Sequence, residues 1–459
     1  MLKFKLSWPL YKKHRSRIYN MQNENIPVMG IAYSDDNKFN FYIDDHSVTF
    51  MCTDQSNIQL HGPFVFGHTF GYKNIAIFKG KDDISFQEMK KINTSAYIIA
   101  SYNGLGTQWS KFDYIEFKGG TLNQLFCCNA LVKETLNNGT IQLYQNNDSL
   151  RYKFQFNGHT CEIVVGSGVH EQFGFEGMNI SNNEVHLLLK FEVPQPLESA
   201  FKYISNITNM LSIMLFRKNV GFDEIYLHHN EKNLSKMQVF LKKESTFSEK
   251  KLMSNITFSD LGMALPKLAS IVFNSEDKKP AYEIGFYPSS DKDIHFMSND
   301  KVRFICSALE CELSFIDNSC IPEEQHLKEL IDDIKQRIKL HKKSEKKLSQ
   351  KTYDFIFSNL RNWSLSASDR ITKLFHQYER ELTALEELMQ NNVHISDDDI
   401  LALIKFRNNI THGSYRIIDQ NIATTAFLLQ GLVYCCLLKR IGMTNDKILF
   451  LCENRKILS

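Results

Sequence analysis

Residues 396–413, SDDDILALIKFRNNITHG, decide how the C-terminal part of this chain folds. Ser396 is followed by Asp397, Asp398 and Asp399, and then by an apolar run. A serine at this place accepts hydrogen bonds from the free N–H groups of a first helical turn, and carboxylates there interact favourably with the helix dipole. The pattern predicts a helix from residue 397 with Leu403 and Phe406 turned to a core. Gly413 can end or bend it. Shortly after comes IATTAFLLQGLVYCCLL, Ile422 to Leu438, a 17-residue run. Its length is marginal for crossing a bilayer, so it reads as a buried helix and no membrane is expected as partner.

Working outward, helical patterns fill the region after Asp300. VRFICSALECELSFI reads as one helix, and Pro322 with EEQ opens another through HLKELIDDIKQRIKLHKKSEKK. KTYDFIFSNLRNW and SASDRITKLFHQYERELTALEELMQ follow. The expectation is an all-helical domain over 306–459. Upstream of residue 195 the texture is different. KFNFYI, SVTFMC, NIAIFKG, AYIIASY, TIQLY, RYKFQFNG, CEIVVG and EVHLLLKFEV read as short strands separated by turn-rich pieces such as TDQSN and NNGT. Residues 1–195 are therefore a β-rich domain, either a sandwich or a strongly curved sheet. Glycines 62, 67 and 71 in HGPFVFGHTFGYKN lack phosphate-loop spacing and read as turn residues.

Between them, 196–305 is mixed. A helix is expected over Leu197–Arg217, with strands at FDEIYLH, KMQVFLKK, AYEIGFY and DIHFMS and one short helix in SDLGMALPKLASIVF. This region completes or extends the first domain. The fold class is α+β multidomain, with a β-rich N-terminal region and an all-helical C-terminal bundle.

Composition narrows the class without naming a partner. The 459 residues exceed one ordinary core, and 54 basic against 52 acidic residues leave a net charge of +2. That balance neither requires nor excludes nucleic acid. Ten cysteines lie at irregular intervals, two pairs of them adjacent (127 and 128, 435 and 436). They form no disulfide framework, and Cys306, Cys311 and Cys320 lack a close CxxC, so reduced thiols in a cytoplasmic protein are expected and no metal. The N-terminus MLKFKLSWPLYKKHRSR has charges inside its apolar stretch and no signal-peptide core.

RNNITHG, residues 407–413, carries the chemistry worth weighing. On a helix Arg407 and His412 lie about 140° apart, while Asn408 and His412 share a face. A cation, an amide and an imidazole near one exposed helix end suit RNA cleavage without metal, because RNA supplies its own nucleophile in the 2′-hydroxyl. His412 would transfer protons. Arg407 would neutralise the pentacoordinate phosphate, and Asn408 would orient phosphate or imidazole. One such set is incomplete as an acid–base pair, which a second copy across a two-fold axis would complete. Spacing by itself is weak: Arg370 and His376 in RITKLFH, with five residues between them where Arg407 and His412 have four, fall in the same range of four to six without the flanking Asn or Gly and read as a charged helical surface.

With these residues and the apolar helix after them, the chain resembles the HEPN superfamily. Its motif is an arginine, usually a polar residue, a short spacer and a histidine. Arg407, Asn408 and His412 match in turn. A β-rich region before such a domain resembles the ApeA-type antiphage proteins. The resemblance is sharpest over 395–441 and extends to 306–455. It implies a HEPN-like bundle, a homodimer with a composite cleft, and an endoribonuclease used in abortive infection. RNA, with transfer RNA among the candidates, would be the substrate, no cofactor would be needed, and a phage-derived trigger would act through the β-rich region. Two other readings stay open: a non-catalytic HEPN-type binding or dimerisation module, and a toxin restrained by a separate partner.

Other residues have plainer readings beside the functional one. KLHKKSEKKLSQK, 339–351, is the strongest basic run: a solvated helix end, or phosphate contacts through Lys342 and Lys343. Tyr415 and Arg416 stack on or hold a nucleotide, or else serve packing and surface charge. His228 and His229 occupy successive strand positions and point to opposite faces, which suits surface or interface histidines more than a metal. Three successive carboxylates at 397–399 fan around the axis, as a helix start requires.

Overall fold

The computed structural model describes residues 28–34, 37–44, 47–51, 64–71, 73–78, 83–86, 89–93, 96–100, 110–126, 131–135, 141–145, 149–174, 177–229, 235–241, 255–274, 287–288, 293, 296–313, 315, 325–344, 348–363, 367–388, 395–412 and 417–455. Gly413, Tyr415 and Arg416, and all of the AYEIGFY strand but Tyr287, lie outside them. The chain divides into two compact units. One comprises Met1–Leu211, Asn219–Lys251 and Thr257–Asn274; the other comprises Ser212–Lys218, Leu252–Ile256 and Ser275–Ser459.

The first unit is β-rich. In chain order its strands are β1 (Val28–Ser34), β2 (Asn37–Asp44), β3 (Ser47–Met51), β4 (Phe64–Thr69), β5 (Asn74–Phe78), β6 (Asp83–Phe86), β7 (Met89–Asn93) and β8 (Ala96–Ala100). They continue as β9 (Lys111–Lys118), β10 (Leu131–Thr135), β11 (Ile141–Gln145), β12 (Ser149–Phe156), β13 (His159–Gly174), β14 (Gly177–Pro196), β15 (Glu224–His229) and β16 (Ser235–Leu241). Fourteen form one sheet in the order β12-β13-β14-β9-β15-β16-β8-β5-β4-β1-β2-β3-β7-β6, and β10 pairs with β11 apart from it. Apart from that pair, the described strands share one continuous hydrogen-bonded order.

Alternation explains its faces. Phe39, Phe41 and Ile43 of β2 are buried while the alternate residues Lys38, Asn40 and Asp44 are exposed. They join Ala32, Val48, Phe50, Val65, Ile75, Ile77, Tyr97, Ile99 and Phe240 in one apolar cluster. Gly67 corrects the turn reading, because it lies inside β4. A Cβ there would come 2.3 Å from the Ile31 carbonyl oxygen of β1, so the glycine permits close strand approach.

A 3-10 turn, Leu197–Ser199, leads into helix α1 (Ala200–Leu215). Its Tyr203 ring meets those of Phe191, Phe156 and Phe112 at 4.5, 5.9 and 6.3 Å. The single short helix expected in SDLGMALPKLASIVF is instead two, α2 (Phe258–Leu261) and α3 (Leu265–Phe273), separated by a 3-10 turn. Gly262, at φ 49°, breaks them, a conformation that a side chain resists.

The second unit is mostly helical: α4 (Asn299–Leu313), α5 (Gln325–Lys342), α6 (Gln350–Trp363), α7 (Ala367–Gln377), α8 (Glu379–Leu388), α9 (Asp397–Thr411), α10 (Gln420–Arg440) and α11 (Asn445–Arg455). Residues 296–298 of the expected strand DIHFMS are irregular and lead into α4. Helix α10 is long and apolar enough to cross a membrane by length and composition. Here every residue from Thr424 to Leu438 is buried, and α10 packs on α4, α8, α9 and α11. A helix apolar all round belongs inside a bundle when other helices can cover it. Its Tyr434 hydroxyl donates to the Ile213 carbonyl of the same unit. The six described cysteines are free thiols, all buried except the half-buried Cys311.

Candidate active site

Helix α9 begins as its sequence predicts. Ser396 Oγ accepts from the Asp399 N–H, and the Asp399 carboxylate accepts from the Ser396 N–H at 3.0 Å and hydroxyl at 2.6 Å, a reciprocal capping box. Those hydrogen bonds from Ser396 hold the Asp399 carboxyl below its ordinary value. The helix buries Ile400, Leu403 and Phe406, and this spacing fixes which face remains outside. It ends at Thr411 with His412 as C-cap, whose N–H donates to the Asn408 carbonyl at 3.2 Å.

The structure couples two of the three motif residues by side chain. Arg407 Nη1 donates to Asn408 Oδ1 at 3.1 Å, and Arg407 Nη2 donates to Glu310 Oε1 on α4 at 2.5 Å. Arg407 is 25% exposed and Glu310 48%, so the pair opens to solvent. Asn408 and His412 are exposed on the same helix end, joined through the backbone. The Asn408 side chain, its oxygen engaged by arginine, is exposed to solvent. Beneath them the buried Cys306 thiol is pushed up to about 12 by burial, which makes it an inert packing group.

Glu310 was not legible beforehand. It stands 97 positions from Arg407, and only the packing of α4 on α9 joins them. The one local hint is that Cys306 and Glu310 lie a turn apart on one helical face.

Of the remaining proposed residues, Lys342 and Lys343 are described. Lys342 and Lys343 are exposed at the end of α5, with Lys342 Nζ 5.6 Å from the Tyr353 ring centre. No hydrogen bond or ion pair among the described residues links either lysine to Arg407, Asn408 or His412. His376, from the competing pair, lies 3.4 Å from Asp397 and lines a polar cavity of about 270 Å³ with Glu379, Arg380, Glu381 and Asp446.

In the first unit, His228 and His229 do face opposite ways, and each meets a carboxylate. His229 Nδ1 is 2.7 Å from Asp113, and His228 Nε2 is 2.8 Å from Glu116. Glu116 also meets His186 Nδ1 at 3.0 Å, and His186 Nε2 lies 3.3 Å from Glu184. Burial would raise the Glu116 carboxyl, but hydrogen bonds from His186 and His228, with Lys118 nearby, hold it well below the usual range. Hydrogen bonds to Glu116 and then Glu184 push the His186 imidazole up to about 9. Both ring nitrogens of His186, and one each of His228 and His229, thus lie against a carboxylate. Among the described residues, no three His, Cys, Asp or Glu side chains are grouped to hold a metal ion.

No protein-family model, curated protein or solved structure matches the chain.

Proposed function

We propose that the chain is a metal-independent endoribonuclease whose helical unit is a HEPN-like bundle. The observation that carries this reading is the arrangement at the end of α9: a solvent-facing Arg407 tied to Asn408, with an exposed imidazole, His412, on the same helix end. An arginine fixed by neighbours loses little freedom on binding a phosphate and presents a planar fork of donors to it. In this mechanism the 2′-hydroxyl of RNA attacks the adjacent phosphorus. Arg407 carries the charge that grows on the non-bridging oxygens. Asn408 offers its amide donors to the phosphate, and His412 transfers a proton. Lys342, Lys343, Tyr415 and Arg416 would extend the grip along the strand. Transfer RNA is one substrate of the proposal, a homodimer its assembly and the cytoplasm its setting. The β-rich unit would answer a phage-derived trigger in antiphage defence; these last points rest on the resemblance.

Cleavage of total cellular RNA with EDTA present tests it. The wild type should leave 2′,3′-cyclic phosphate and 5′-hydroxyl ends. His412→Ala should abolish cleavage, and Arg407→Ala should slow it roughly 100- to 1,000-fold. Both should melt like the wild type, because a solvent-open ion pair contributes under about 1 kcal/mol to folding. Equal cleavage by all three proteins, or cleavage lost on chelation, would remove the mechanism. RNA binding by a protein that cleaves nothing would favour the binding-module reading.

A further inference from the structure

Proton transfer in RNA cleavage needs two groups, one to take the 2′-hydroxyl proton and one to supply the departing 5′-oxygen. His412 is one. The structure sets a second titratable side chain directly against Arg407, in the same chain. Glu310 reaches from α4 so that one carboxylate oxygen, Oε1, receives the Arg407 Nη2 donor. The other oxygen makes no hydrogen bond to the protein among the described residues, and the side chain is half open to solvent. Glu310 has no basic partner on its own helix; the cation of that helix nearest its end, Arg303, pairs with Asp300 at 3.0 Å. A phosphate held by the Arg407 fork would therefore lie beside a carboxylate with a free acceptor oxygen. The next acid on α4, Glu312, is not placed for this. It is buried and bound to Arg440.

We propose that Glu310 is the second proton-transfer group of the site, an assignment that rests on the ribonuclease reading. The Glu310 carboxylate accepts the proton of the 2′-hydroxyl as the 2′-oxygen bonds to phosphorus. The bond from phosphorus to the 5′-oxygen breaks, and the His412 imidazolium gives its proton to that oxygen. One bond forms and one breaks, and one proton is taken and one given. The products are a 2′,3′-cyclic phosphate and a 5′-hydroxyl, without any co-reactant. Before substrate arrives, the same carboxylate holds the guanidinium in place.

Glu310→Gln separates proton transfer from positioning, because a glutamine oxygen still accepts from Arg407 but is not a base. The expected result is a kcat lowered roughly 100- to 10,000-fold, RNA affinity within about threefold of wild type, an unchanged melting temperature, and disappearance of the acid-side fall in the rate profile. Wild-type cleavage with a wild-type pH profile in Glu310→Gln would overturn the assignment and leave Glu310 as a positioning residue only. A loss of rate matched by a loss of RNA affinity, with the profile intact, would do the same. If the wild type cleaves no better than Arg407→Ala, the ribonuclease reading itself fails, and this assignment with it.

Discussion

Glu312 is a buried acid of the helical unit, and its effect on stability can be worked out. It lies on α4, 1% exposed, with Arg440 Nη2 donating to its Oε1 at 2.8 Å. The Arg440 guanidinium sits 4.2 Å from the Phe315 ring centre. Burial pushes the Glu312 carboxyl up from 4.5 to about 7, against the pull of Arg440. Desolvation thus outweighs the ion pair. Between pH 4.5 and 7 the folded chain holds a proton that the unfolded chain has released. Stability is then fully present below 4.5 and falls as pH rises through 7. At about 1.4 kcal/mol per pH unit, the interval corresponds to about 3 kcal/mol. For a unit of this size that is roughly 6–12 °C in melting temperature. Glu312→Gln keeps the shape and an acceptor for Arg440 but cannot ionise. The assay is thermal unfolding followed by helical circular dichroism across this interval, wild type against variant. Other carboxylates contribute their own slopes to both proteins, so the difference between the two curves is the quantity that matters. It should grow steadily in the variant's favour as pH rises. Parallel curves would refute the claim that burial governs this group.

In the β-rich unit the sign follows from a histidine. The contribution of His186, held between Glu116 and Glu184 with His228, Lys118, Tyr226, Lys236 and Glu224 around it, should be fully present below pH 6.5 and disappear as pH passes about 9. Melting of His186→Asn should lack that alkaline loss, and an identical loss in both proteins would count against the network. Gly67→Val should destabilise the same unit by about 1–3 kcal/mol or more, since its Cβ meets strand backbone at 2.3 Å. Urea unfolding reads this, and an unchanged midpoint would mean that β1 and β4 are not so close.

How much was legible depends on distance along the chain. The cap at Ser396 was readable because its partner, Asp399, is three residues away. The burial of Ile422–Leu438 was readable because its side chains are apolar all round. Strand β2 is legible from its alternation of apolar and polar residues and β5 from a short apolar run, each beside turn residues. Gly67 reads as a turn residue because a glycine signals only that a side chain is missing, and the strand that crowds it is distant in sequence. The break at Gly262 was hidden by apolar residues on both sides that continue a helical pattern through it.

Local pattern by itself determined the change from β-rich to helical, the helix ending in Arg407, Asn408 and His412, and the apolar helix that follows. These rest on interactions between residues a few positions apart. Tertiary structure decided the rest. It joined fourteen strands into one sheet, it bound Arg440 to a carboxyl pushed up by burial, and it set Glu310 against Arg407 from 97 residues away. Packing brings such groups together, and nothing in the spacing of either partner records that they will meet.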